Sequence, residues 1–371
     1  MGIGLRIGWL LLEPHQIVFD EQVYHGLAAR LAAGEPFGLE IWPPGWPMVL
    51  GLAYRLFGAQ PTVGMALNLL ASLAVMLLVW RLAAHMLGPR GGLVALWLAA
   101  LMPSFVVLNV VLGYEVWLQL LLALACWLVA ARGWRWSTVL ALAAITALAA
   151  LVRPFWLALP LLLSLCIRPA GPGSRPAPLA LALLGALALL LPWLVHVSLL
   201  AGRPVPVAPN GGMNLWIGNN PNATGTFMRI PASLEGPQAD PLATREALAY
   251  IRAEPLRAVA LLPRKLWYLL SIEGYSATRY PLVNHPEARV PNWLAANLGT
   301  LMNGSYWLLS LAALAGAIRL ALRRRWHLFG PLLIFGFNLL CYLPFFGFSR
   351  YRWPAQFILI IYAAFLMDEE F

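Results

Sequence analysis

The chain has 371 residues, 61% of them hydrophobic and only 11% charged, where an ordinary soluble domain carries roughly 25% charged residues. Several apolar runs exceed the ~18 residues needed to cross a bilayer, which excludes a soluble globular protein and implies a polytopic membrane protein. The formal net charge of +10 does not imply nucleic-acid binding, because the arginines stand in small groups at the ends of apolar runs, where orientation signals and headgroup contacts belong.

The first residues, MGIGLRIGWLLLEP, hold one arginine, a short apolar core and no small-residue cleavage site, so they read as a short or trimmed membrane segment rather than a signal peptide. From Asp20 to Ala33, Val23, Leu27 and Leu31 recur at i, i+4 and i+8, with Gly34 as a stop and Asp20 at the N-cap place. This predicts an amphipathic helix at the membrane surface. A Pro-containing turn and a further apolar helix from Pro47 to Phe57 follow.

Apolar runs then come at about 62–87, 91–109, 115–131, 137–151, 154–167 and 179–199. The two that flank Arg153-Pro154 are short for spans and can form one broken or re-entrant pair. The segment 200–298 is too polar and too rich in Pro, Gly and Asn for lipid, and too long for an ordinary connection. It reads as a small external subdomain, with turn chemistry in APNGGMNLWIGNNPNATGTF and helical spacing from Asp240 to about Ser271. Spans near 299–320, 327–346 and 354–367 complete the chain. The division is a membrane region 1–199 with an external first loop at about 13–60, the subdomain 200–298 and C-terminal helices 299–371. No internal repeat is visible.

Arg81 and Arg90, Arg132 and Arg135, Arg168 and Arg175, and the group Arg319 and Arg323 to Arg325 fall in alternate short loops, which the positive-inside rule makes cytoplasmic. The Asp20 stretch, the 200–298 segment and the turn Phe348–Arg352 then share the opposite face. Cys126, Cys166 and Cys341 lie in apolar runs, with no disulfide or metal spacing, and behave as small hydrophobes. The near absence of lysine, Lys265 alone, is the bias of a high-GC bacterium.

Among residues able to carry chemistry, Asp20 and Glu21 are adjacent acids that either complement a helix start or supply a general base or metal ligand. Glu40 shares their loop and reads as solvated. His15 and His25 bracket the pair at a spacing that matches no metal motif. Glu115, at the external end of a span, is either interfacial or functional. Arg153, Arg350 and Arg352 lie where arginine is not an orientation signal, so they either snorkel to headgroups or bind a phosphate through the guanidinium fork.

The order of these elements resembles a known family. It runs from the Asp-Glu pair ahead of YHGLAARLAAGEPF through WPPGWPMVLGLAYRLFG, GYE and LVRP to GRPVPVAPNGGMNLWIGNNPNATGTF and FSRYRWPAQFILIIYAA. It is similar to the bacterial GT-C superfamily of membrane glycosyltransferases, related to dolichyl-phosphate-mannose protein mannosyltransferases and the lipid A aminoarabinose transferase. The resemblance implies an all-α polytopic protein of the bacterial inner membrane, a bundle of about ten transmembrane helices with a small periplasmic subdomain. It also implies an inverting transfer of sugar from a polyprenyl-phosphate donor to a periplasmic lipid, glycan or protein. By position, Asp20 matches the first-loop acid that acts as base or as ligand of a divalent cation such as Mg or Mn, with Glu21 beside it. Arg350 and Arg352, with Arg153, would hold the donor phosphate, while Tyr24, Glu40 and Glu115 are candidates for acceptor or sugar contacts. Two features depart from the family: the first span is short, and Ile41-Trp42 stand before the Pro-Pro where aminoarabinose transferases carry an acid and a lysine. Two other readings stay open, a non-enzymatic transporter or flippase of lipid-linked sugars and a degenerate, non-catalytic homologue.

Overall fold

The structure, a computed structural model, describes residues 1–13, 16–166, 176–234, 238–273, 287 and 289–366. Among the described residues there are helices and turns but no strand. Four helices are long and apolar enough to cross a membrane: Pro61–Leu101, Glu115–Arg132, Ala177–Ala201 and Asn292–Leu322. Five shorter apolar helices accompany them among the described residues, and the protein is a multi-pass membrane protein. Arg168, Arg175 and His15, used above for topology and as a candidate ligand, lie outside the described residues.

Helix α1 (Gly2–Leu12) is short. It leads to α2 (Asp20–Ala32) and α3 (Gly45–Phe57), which cross closely because Gly51 has no side chain to meet Leu31 and the Ala28 carbonyl. Helix α4 (Pro61–Leu101) is two helices in one: Gly88 takes φ 83° just before Pro89 and turns the chain back on itself. A Cβ at Gly92 would collide with Ala84, so this hairpin packs with its backbones in close approach. The break read between the runs 62–87 and 91–109 is therefore the turn at Gly88 and Pro89. The second run ends at Leu101 and continues as the short α5 (Pro103–Val107).

Pro103 has no N–H to give the Ala99 carbonyl four residues earlier. Arg6 of α1, fully buried, takes that place: Nη2 donates to Ala99 O at 2.8 Å and Nη1 to Ala100 O at 3.1 Å, while Nε donates to Ser72 Oγ at 2.9 Å. The expected result of Arg6→Met is a loss of about 3 kcal/mol, since buried carbonyls lose a charged donor. Thermal unfolding in detergent checks this, and a wild-type melting temperature would mean that another group satisfies them.

Helix α6 (Glu115–Arg132) spans 18 residues, about 27 Å at 1.5 Å per residue. Its far end is an arginine-rich surface where Arg81 and Arg132 both stack on Trp127. Helix α7 (Trp136–Val152) stops where Pro154 forces Arg153 into extended backbone, φ −145° and ψ 111°. A 3-10 turn at Pro154–Ala158 and α8 (Leu159–Cys166) continue the chain, and this is the broken pair expected from the sequence. After α9 (Pro176–Ala201) the chain forms α10 (Gly211–Gly218), α11 (Ala239–Ala253), α12 (Pro255–Ala260) and α13 (Leu262–Leu270). Gly212 admits α11 against α10, and Asp240 Oδ1 accepts from Gly212 N at 2.7 Å and Met213 N at 3.3 Å. The segment docks on the membrane part through Asn210 Nδ2 to Ile41 O and Asn219 Nδ2 to Pro344 O.

Helix α14 (Asn292–Leu322) starts earlier than the predicted span, and α15 (Gly330–Tyr342) is shorter than its run. A 3-10 turn at Ser349–Ala355 leads into α16 (Phe357–Leu366). That last helix is buried from Phe357 to Phe365, as its all-apolar sequence demands. Gly316 of α14 lets it approach the Tyr362 carbonyl.

Candidate active site

A cavity of about 570 Å³ opens where α2, the Arg153 break, α10 and the Ser349–Ala355 turn converge. Its polar wall is Asp20, Arg153, Asn210, Asn214 and Arg350, and its apolar wall includes Trp42, Phe227, Phe346 and Phe348. Three polar pieces far apart in sequence thus meet at one end of the bundle, opposite the arginine-rich end reached by α6.

Arg350 is the centre of the arrangement. Its Nη1 donates to Asp20 Oδ2 at 2.9 Å, and its Nε donates to Glu115 Oε1. Glu115 is 2% exposed and Arg350 7%, whereas the Asp20 side chain is 45% exposed. The guanidinium therefore rests on a buried carboxylate and holds a half-exposed one. Burial alone disfavours its charge, but Glu115, with Tyr114, Tyr24 and Asp20, outweighs this and keeps it protonated, well above its ordinary pKa. Nη2 has no hydrogen-bond partner among the described residues. Gly113 makes the pairing possible, because a Cβ there would collide with Glu115 Oε2 and crowd Arg350 Nη2.

Arg153 lies over the Tyr114 ring at 4.8 Å and near Tyr351 at 5.4 Å and Tyr342 at 5.8 Å, and donates to the Tyr114 hydroxyl. Its Nε is likewise without a partner among the described residues. Tyr342 and Tyr351 stack at 4.2 Å with planes 6° apart. Asp20 is not the helix cap: Phe19 takes that place with φ 52° and ψ −126°, left-handed backbone that costs a non-glycine residue of order 1–3 kcal/mol. This strained residue also lines the cavity.

The remaining candidates separate. Tyr24 lines the cavity and meets Tyr114 edge to face at 6.4 Å. Glu21 is buried and stands off the cavity. Glu40 pairs with Arg30 at 3.1 Å and Glu115 lies beneath Arg350, so neither lines the wall where a sugar would contact them. His25 Nδ1 is bonded to Tyr54 Oη at 2.8 Å. Arg352 is fully buried away from the cavity, paired with the equally buried Glu273 and 3.8 Å above the Tyr306 ring. Glu273, Tyr114 and Asn210 were not marked from the sequence; an acid just past the strongly amphipathic α13 was the available signal for the first.

A divalent cation such as Mg is commonly held by one or two carboxylates, waters and substrate phosphates; the cavity wall offers Asp20, whose carboxylate is paired with Arg350, and no group of three or more His, Cys, Asp or Glu residues occurs among the described residues.

Residues 42–196 match the family model of dolichyl-phosphate-mannose-protein mannosyltransferase. Over 99% of its length the chain superposes on the oligosaccharyltransferase AglB from Archaeoglobus fulgidus in complex with an inhibitory peptide and a dolichol-phosphate, with a TM-score of 0.53 at 15% identity, covering 49% of that chain. A second structure of the Archaeoglobus fulgidus oligosaccharyltransferase, with Zn and sulfate, gives 0.51 at 13%, covering 99% of this chain and 48% of that one. ArnT from Cupriavidus metallidurans gives 0.45 at 16%, over 98% of this chain and 75% of that one. The chain spans about half the length of the oligosaccharyltransferases it matches. No curated protein sequence matches it. The resemblance to GT-C glycosyltransferases read from the sequence therefore holds both in a family match and in the fold.

Proposed function

We propose that the protein is an inverting membrane glycosyltransferase that takes a sugar from a polyprenyl-phosphate donor and passes it to an acceptor hydroxyl at this cavity. The observation that carries the reading is the buried, charged Arg350, which holds the half-exposed Asp20 carboxylate and lines one cavity with it and Arg153. In the reaction the acceptor oxygen bonds to the anomeric carbon as the bond from that carbon to the phosphate oxygen breaks. The acceptor proton passes to the Asp20 carboxylate, and the charge that develops on the departing phosphate is met by Arg350 and Arg153. As the phosphate engages Arg350 it competes with Asp20 for the guanidinium, which frees the carboxylate to act as base.

A lipid-linked donor stays in its leaflet, so the site belongs where its phosphate emerges. The arginine-rich end is assigned to the cytoplasm of a bacterial plasma membrane and the cavity to the outer face. In this scheme Glu115 supports Arg350, and Arg352 has no part in phosphate binding. Membranes that carry the protein, mixed with radiolabelled polyprenyl-phosphate sugars, test the reading. Asp20→Asn is expected to lower transfer by about a hundredfold to ten-thousandfold. Full transfer by the variant would remove Asp20 from the mechanism, and lipid scrambling without transfer for any donor would favour a carrier.

A further inference from the structure

Helix α12 is six residues long and has no buried residue. Leu256 is 84% exposed and Val259 59%, and the apolar display continues on α13 through Leu266 and Trp267. A helix this short is not stable in water by itself; helices of proteins keep their form by packing an apolar face, and among the described residues none covers Leu256 and Val259. The charges fit one cover. Arg252, Arg257 and Arg264 are exposed along the same stretch, and the single acid among them, Glu254, lies 3.8 Å from Arg257. The excess is cationic, as in helices that lie in anionic headgroups.

The height agrees. Trp267 meets Trp307 of α14 at 6.5 Å. Trp307 stands about 22 Å along the helix axis from Leu322 at 1.5 Å per residue, and Leu322 adjoins the arginines of the opposite end. Against a hydrocarbon core of about 30 Å, this puts the Trp267–Trp307 pair about 8 Å below the boundary on the cavity side, so α12 and α13 lie in the outer part of the bilayer.

The same element is fixed to the cavity. Lys265 is 1% exposed, and its Nζ donates to Asn219 Oδ1 at 3.2 Å and to Pro344 O at 3.4 Å. Gly347 lies so close to α13 that a Cβ would collide with the Lys265 carbonyl. The turn so held carries Phe346 and Phe348, which line the cavity.

We propose that α12 and α13 form a docking surface for anionic lipid, apolar side chains in the acyl boundary and arginines on headgroup phosphates, which holds the cavity at the depth of membrane phosphates. The docking stands by itself; its purpose rests on the function proposed above.

The test uses spin labels at Leu256→Cys and Val259→Cys, with Arg245→Cys on exposed α11 as the aqueous reference. Cys126, Cys166 and Cys341 are changed to Ala, and the full chain is reconstituted in phosphatidylcholine vesicles with phosphatidylglycerol. The labels at 256 and 259 are expected to collide with oxygen in preference to a water-soluble nickel chelate, the reverse of position 245. Nickel accessibility equal to that at 245 would overturn the docking. Omission of phosphatidylglycerol is expected to raise nickel accessibility at both positions, and no change would overturn the headgroup part. Leu256→Asp with Val259→Asp, substitutions at exposed positions of α12, is expected to lower transfer in vesicles by about tenfold from lost apolar contact while the melting temperature in detergent stays. Unchanged transfer with both labels shifted to water would overturn the positioning role, and a wild type inactive on every donor would leave the collision result to decide the docking alone.

Discussion

Replacement of Arg350 by Gln is expected to lower the initial rate of sugar transfer by about a hundredfold to a thousandfold, the usual effect of removing one donor aimed at developing charge. The single variant also strands the Glu115 carboxylate at 2% exposure, and an uncompensated buried charge costs about 3–5 kcal/mol. Lost activity could then be lost fold. Arg350→Gln combined with Glu115→Gln separates the two, because it removes the stranded charge and leaves two amides in contact. The double variant is expected to regain most of the melting temperature and none of the transfer. Arg350→Lys should fall between, since a point charge keeps the sign but cannot span Glu115 and Asp20 as the guanidinium fork does. Recovery of transfer in the double variant would show that Arg350 serves only to neutralise Glu115.

The difference between Arg350 and Arg352 shows where sequence reasoning stops. Both stand in Phe348-Ser349-Arg350-Tyr351-Arg352, two residues apart, on the face that orientation assigned to the outside. In a 3-10 turn of three residues per turn, positions i and i+2 point about 120° apart. One guanidinium thus enters the cavity and the other turns inward to Glu273. Nothing in the pentapeptide says which, because the decision lies with partners 79 and 235 positions away. The features set by local backbone were legible: Pro154 breaks the helix at Arg153, and the helix that begins at Asp20 carries its first-turn acids. Glu115 was legible as an unusual acid at a span end, but its partner was not. The turn at Gly88-Pro89 was legible as the break between two apolar runs, whereas Phe19 as the strained cap depends on packing that apolar periodicity does not encode.

For Arg352 the expected result is the opposite of that for Arg350. Glu273 is fully buried and accepts from Arg352, from Trp353 Nε1 at 3.2 Å and from Gln356 Nε2 at 2.8 Å. Arg352→Met leaves two neutral donors on a charged carboxylate in the interior, at a cost of about 3–5 kcal/mol. The protein should melt markedly earlier in detergent, with transfer per folded molecule close to wild type. Arg352→Met together with Glu273→Leu removes both charges and should restore most of the stability, because apolar replacement of a buried pair is often neutral. A phosphate-binding Arg352 would give another pattern: near-normal melting in the double variant with transfer still lost and a raised donor KM. The two double variants therefore read out separately which of these arginines holds the reacting phosphate and which holds the fold around it.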